Sequence, residues 1–99
     1  MTRRTSTSGG EMPTSADEVC GKYADRGVKI RVTELQDGYV YVEADEEGLT
    51  FLAELFWAQA HDPHEKNHLG PRGAGNALFT KGSTVGFCIR RIDPSERIA

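Results

Sequence analysis

The stretch VKIRVTELQDGYVYVEADEEG, residues 28–48, decides how this chain folds. Val28 to Glu34 alternates apolar and polar side chains, and so does Tyr39 to Ala44, which is the pattern of strands with one buried face. Gln36-Asp37-Gly38 lies between them. A two-residue turn on Asp37-Gly38 would set Val32 opposite Glu43 and Thr33 opposite Val42, mixing the faces. A three-residue loop, Gln36 to Gly38, with Gly38 left-handed in a bulge, restores the parity. Val32 then faces Val42 and Ile30 faces Ala44 on the core side. On the other side Thr33 meets Tyr41 and Arg31 meets Glu43, a pair of opposite charges.

Working outward, Asp45 is a natural N-cap, and Glu46 and Glu47 suit the positive end of a helix. The spacing predicts that helix from Glu46 to about Ala60. Leu49, Leu52, Ala53, Phe56 and Ala60 form its core stripe, widened by Leu55 and Trp57. Asp62-Pro63 ends it. Upstream, residues 15–27 carry a capping box, Ser15 with Glu18, and an exit glycine, Gly27; only Val19 and Tyr23 share an apolar face. Downstream, a loop is expected from Asp62 to about Asn76. A second hairpin, Ala77–Lys81 with Thr84–Ile92, is expected to turn on Gly82-Ser83 and to pair Leu78 with Phe87 and Thr80 with Val85.

The order is therefore ββαββ, with a short leading helix over residues 15–27. The fold class expected is a two-layer α+β sandwich, one main helix covering one face of a four-stranded, largely antiparallel sheet. Residues 1–14, rich in Ser, Thr and Gly, read as a disordered leader, residues 15–93 as one domain and residues 94–99 as a loose tail. No apolar run follows Arg3 and Arg4, and nothing approaches the length of a membrane span, so a cytoplasmic protein with reduced Cys20 and Cys88 is expected. The net charge of −3 argues against a dedicated nucleic-acid binder.

One helix leaves the second face of such a sheet open. By these registers that face carries Arg31, Leu35, Tyr39, Tyr41, Phe79, Lys81 and Arg90, together with Lys29, Thr33, Glu43, Gly86 and Cys88. Aromatic residues mixed with arginine are what protein interfaces enrich, and the first seven residues are the expected contact set for a protein partner or a second copy. The leading helix or the tail is the other candidate cover. Stacking on nucleic-acid bases is the alternative use of the same rings.

His64-Glu65-Lys66-Asn67-His68 matches the H-E-x-x-H pattern of zinc peptidases. That chemistry needs a helix placing both histidines on one face with the glutamate beside the metal-bound water. Here Pro63 precedes and Leu69-Gly70-Pro71 follows, leaving barely a turn and a half, and no third ligand stands at a recognisable spacing. No catalytic residue and no cofactor are assigned. His61, His64 and His68 remain the candidate donors should the loop hold a metal ion. Cys88 lies in a strand, where cysteine acts as a small hydrophobe. The glycine-rich run Gly70 to Gly75 lacks the setting of a phosphate loop.

Glu47-Gly48-Leu49, Leu52-Ala53-Glu54-Leu55, His68-Leu69, Leu78, Gly82-Ser83 and Ile89-Arg90 give the chain from Glu43 onward its character. In these residues it resembles a predicted immunity-protein family of bacterial polymorphic toxin systems. The resemblance implies a small cytoplasmic α+β protein that binds and neutralises a partner without enzymatic activity, with His68 the loop position carried over. The glycine-proline loop after His68 departs from the compact pattern of that family.

Overall fold

The structure is a computed structural model that describes residues 15–62 and 66–96. The expected leader, residues 1–14, lies outside the described residues, as do His64 and Glu65 of the H-E-x-x-H motif. The chain runs α1 (Ala16–Asp25), β1 (Arg31–Glu34), β2 (Val40–Glu43), α2 (Glu46–His61), β3 (Lys66–Leu69) and β4 (Phe87–Arg90).

Both helices begin where their capping residues say. Ser15 Oγ accepts from the Glu18 amide at 3.1 Å, and Asp45 Oδ1 accepts from the Gly48 amide at 2.8 Å. The α1 start has a second cap from far along the chain, since the Ala16 amide donates to Asp62 Oδ2 at 3.1 Å. Gly27, at φ 77°, lets the chain leave α1. The first hairpin pairs Arg31 with Glu43, Val32 with Val42 and Thr33 with Tyr41. Its loop is the three-residue segment Gln36–Gly38, with Asp37 as well as Gly38 at positive φ.

The core lies between α1 and α2 and runs down onto β1. Val19 and Tyr23 of α1 meet Phe51, Leu55 and Ala58 of α2, with Ile30, Val32, Leu69, Leu78 and Phe79 completing it. Tyr23 and Phe51 pack ring to ring at 5.4 Å, tilted by 55°. The Tyr23 hydroxyl donates to Glu54 Oε2 at 2.5 Å, and Lys22 Nζ donates to Glu54 Oε1 at 2.7 Å. These bonds join the helices along a half-buried carboxylate.

The single four-stranded sheet does not form. The described residues build two separate antiparallel pairs, β1–β2 and β3–β4. The expected hairpin on Gly82-Ser83 is replaced: β4 pairs with β3, setting Leu69 against Phe87 and His68 against Cys88. The reason is that residues 78–85 bond elsewhere, along the outer edge of β1. Ile30 donates to Leu78 O at 2.7 Å, and Thr80 donates back to Ile30 O at 2.9 Å. Further on, Thr84 donates to Val32 O at 2.9 Å, and Ser83 Oγ accepts from the Val32 amide at 3.1 Å. A side-chain hydroxyl stands where a neighbouring strand would supply a carbonyl. The expected 62–76 loop consequently contains a strand, β3, whose polar sequence KNHL carries no alternation to announce it. Of the expected tail, Pro94–Glu96 forms a 3₁₀ turn tied back by an ion pair of 2.8 Å between Arg90 and Glu96.

Candidate functional site

The seven residues expected on one open sheet face come to different places. Arg31, Leu35, Tyr39 and Tyr41 stand exposed on the first hairpin. Arg31 reaches over the 80–83 turn, where a Cβ on Gly82 would lie 3.4 Å from its Nε. Its Nε is 3.3 Å from Glu43 Oε1, an ion pair whose angle does not make a hydrogen bond. Lys81 is exposed in that same turn, and Arg90 is exposed on the other sheet. Phe79 is a correction: it is 5% exposed, because the parallel bridge to Ile30 draws it into the core beside Phe87 at 6.1 Å. The ring that base stacking would have used is thus packed away.

The larger surprise is α2. Its buried face is Gly48, Phe51, Leu55, Ala58 and Gln59, and the stripe expected in the core points the other way. Leu49 and Phe56 are exposed, Phe56 by 54%, and Leu52 is half-buried. Val42, also expected in the core, is 41% exposed, and Val40 on the same side is 58% exposed. Both corrections have one cause. With the strands split into two sheets, α2 lays one face on α1 and leaves the other beside the first hairpin.

Between these parts runs an apolar groove of about 300 Å³. Ile30 and Val32 form its floor, Val40 and Val42 one wall, and Leu52 and Phe56 the wall from α2. Phe87, Cys88 and Ile89 of β4 close the remaining side. Among the described residues no charged side chain lines it. The sequence signal for this groove was present but misdirected, since the helical stripe and the valine alternation were both taken as core.

The groove ends at an open strand edge. The Leu35 amide donates to Tyr39 O at 2.8 Å, so Leu35–Tyr39 is a hydrogen-bonded pair. In an antiparallel ladder the bonded pairs alternate, making Thr33–Tyr41 and Arg31–Glu43 bonded and Val32–Val42 and Glu34–Val40 not. The same alternation explains why the Val32 peptide bonds outward to residues 83 and 84. On β2 it turns the N–H and C=O of Val40 and Val42 away from β1, and no described residue bonds to them.

Of the three candidate histidines, His61 and His68 are among the described residues. His61 ends α2, stacked on Trp57 at 4.1 Å with Nδ1 2.8 Å from Trp57 O. His68 stands on β3 opposite the exposed Cys88, and their surroundings are a shallow depression lined by the Gly70–Ala74 run. Among the described residues there is no group of three or more His, Cys, Asp or Glu able to hold a metal ion. Cys20 is half-buried, and burial, with Asp17 adding to it, pushes its thiol up to about 11, which makes it a poor nucleophile. Burial alone would raise the Glu54 carboxyl, but the bonds from Lys22 and Tyr23 outweigh it and hold it below its usual value. That group is structural. Among the described residues no helix is long and apolar enough to cross a membrane. The chain matches no protein-family model, no curated protein and no solved structure.

Proposed function

We propose that this chain is a non-catalytic protein-interaction module whose contact surface is the groove between β2 and the outer face of α2. The observation that carries this reading is that the most apolar stripe of α2 points out of the molecule, alongside the exposed Val40 and Val42. Isolated exposed apolar residues are ordinary, but a contiguous, uncharged, concave patch is the mark of a contact site. On the opposite face of the same hairpin Tyr39, Tyr41, Leu35 and Arg31 are exposed as well, and aromatic residues and arginine are types that interfaces enrich. The free thiols Cys20 and Cys88 suit a reducing, cytoplasmic setting. The resemblance to immunity proteins fits the same reading, a small protein that works by covering a partner.

The test is the double variant Val42→Ser, Phe56→Ser in the full chain. Its far-UV circular dichroism should match the parent and its unfolding should stay cooperative, because both side chains reach the surface and neither is fully buried. Fluorescence of an apolar, environment-sensitive dye, bound by the parent in the groove, should fall several-fold. Unchanged dye binding with intact folding would remove the groove as a contact surface.

A further inference from the structure

We infer that the free edge of β2, at the rim of the groove, pairs with the same edge of a second copy of the chain and sets the two grooves side by side; the inference rests on reading the groove and β2 as a contact surface. The argument is one of hydrogen-bond parity. The edge of β1 is already sealed by residues 78–85, so β2 is the edge of that sheet left open. Val40 and Val42 carry its outward peptide groups. Two such edges laid antiparallel meet group for group when Tyr41 lies on the two-fold axis. Val40 of one copy then exchanges both peptide bonds with Val42 of the other, and the symmetry repeats the pair. A slip of one residue opposes outward groups with inward ones. A slip of two brings in either Gly38, left-handed at φ 83°, or Ala44, beyond the end of the strand. Only in the Tyr41-centred register do all the bonded residues, Val40 and Val42, belong to the strand.

The side chains agree with that register. Tyr41 meets Tyr41 of the second copy as a non-hydrogen-bonded pair, the arrangement in which side chains stand closest. Tyr39 falls opposite Glu43 of the second copy, so a phenol meets a carboxylate and no like charges meet along the new edge. Val40 and Val42 lie on the other face, and their pairing places the two grooves side by side on one surface. The strand also lacks the devices that keep an edge from pairing: Val40 to Val42 holds no lysine, no proline and no bulge. The other sheet has them, with Lys66 and Arg90 directly paired at its end.

The experiment is disulfide trapping in full-length chain with Cys20→Ala and Cys88→Ala. Across a non-hydrogen-bonded pair the Cα atoms are close enough for a disulfide, so Tyr41→Cys should cross-link to a dimer on mild oxidation. Leu35→Cys is the control: Leu35 and Tyr41 are both 46% exposed, but in this register Leu35 lies two strands from the axis. In parallel, light scattering of the parent should give twice the chain mass of 10.9 kDa, and Val42→Pro, which deletes an outward N–H and spares the hairpin, should weaken association at least tenfold. Equal cross-linking at the two positions, or a parent of 10.9 kDa at every concentration, overturns the inference. A dimeric parent that cross-links at neither position overturns it too, placing the dimer contact elsewhere. The dye experiment on the groove reads independently of all three outcomes, so the two readings fail separately.

Discussion

Both faces of α2 carry large apolar side chains, yet the helix buries only one of them. The inner face contains Gly48, Phe51, Leu55, Ala58 and Gln59, with the half-buried Glu54 bonded to Lys22 and Tyr23 of α1. The outer face holds Leu49, Leu52 and Phe56. Shape selected the inner face. A Cβ on Gly48 would lie 2.6 Å from the Ala44 Cβ and 3.2 Å from Lys29 O, so only glycine lets the chain cross so close at the start of the helix. The polar groups on that face are paired: Gln59 accepts from Asn67 Nδ2 at 2.5 Å. What the comparison teaches is that close approach and paired polar groups, and not apolar content alone, decide which face of a helix is buried.

That contrast can be broken by substitution, one face at a time. Phe51→Ala on the inner face should cost about 3–5 kcal/mol in urea unfolding, since Phe51 is fully buried against Tyr23. Gly48→Val should cost about 1–3 kcal/mol by overpacking the crossing, outweighing any gain in helix propensity. Glu54→Gln should cost about 1–2 kcal/mol near neutral pH, through the weakened bonds to Lys22 and Tyr23. Because the native Glu54 carboxyl titrates below its unfolded value, the stability it adds is complete above about pH 4.3 and is lost as the pH falls through the native value. The parent should therefore lose more melting temperature than Glu54→Gln on acidification, and equal losses would show that the carboxylate does not link the helices. Smallest of all, Phe56→Ser on the outer face should cost about 1 kcal/mol, since its ring is only partly covered. A cost like that of Phe51→Ala would mean that the outer stripe is core after all.

The first hairpin and both helices were legible because their information is local. Alternation fixes the strand faces, the parity of the Gln36–Gly38 loop fixes the register, and Ser15, Gly27 and Asp45 mark helix ends. The second half was not, because its structure depends on contacts far along the chain. β3 is a polar tetrapeptide that becomes a strand only against β4, and Ser83 substitutes its side chain for a strand that no nearby pattern foretells. The candidate surface was half visible. Tyr39, Tyr41, Leu35 and Arg31 are exposed as their positions indicated, whereas Phe79 was misplaced with the hairpin it was thought to occupy. Leu52 and Phe56 belong to the stripe expected in the core, because an apolar residue that faces outward and one that faces the core leave the same trace in a sequence.

Asp62 closes the last turn of α2 and at the same time holds the first amide of α1, a bond spanning 46 residues. The first amide of α1 can therefore gain this bond only once α2 has been synthesised to its end. The start of one helix and the end of the other are joined in a single opening event, so the Ala16 amide should exchange with solvent deuterium only as often as the far end of α2 frays. That one proton is a reporter on whether the two helices are docked.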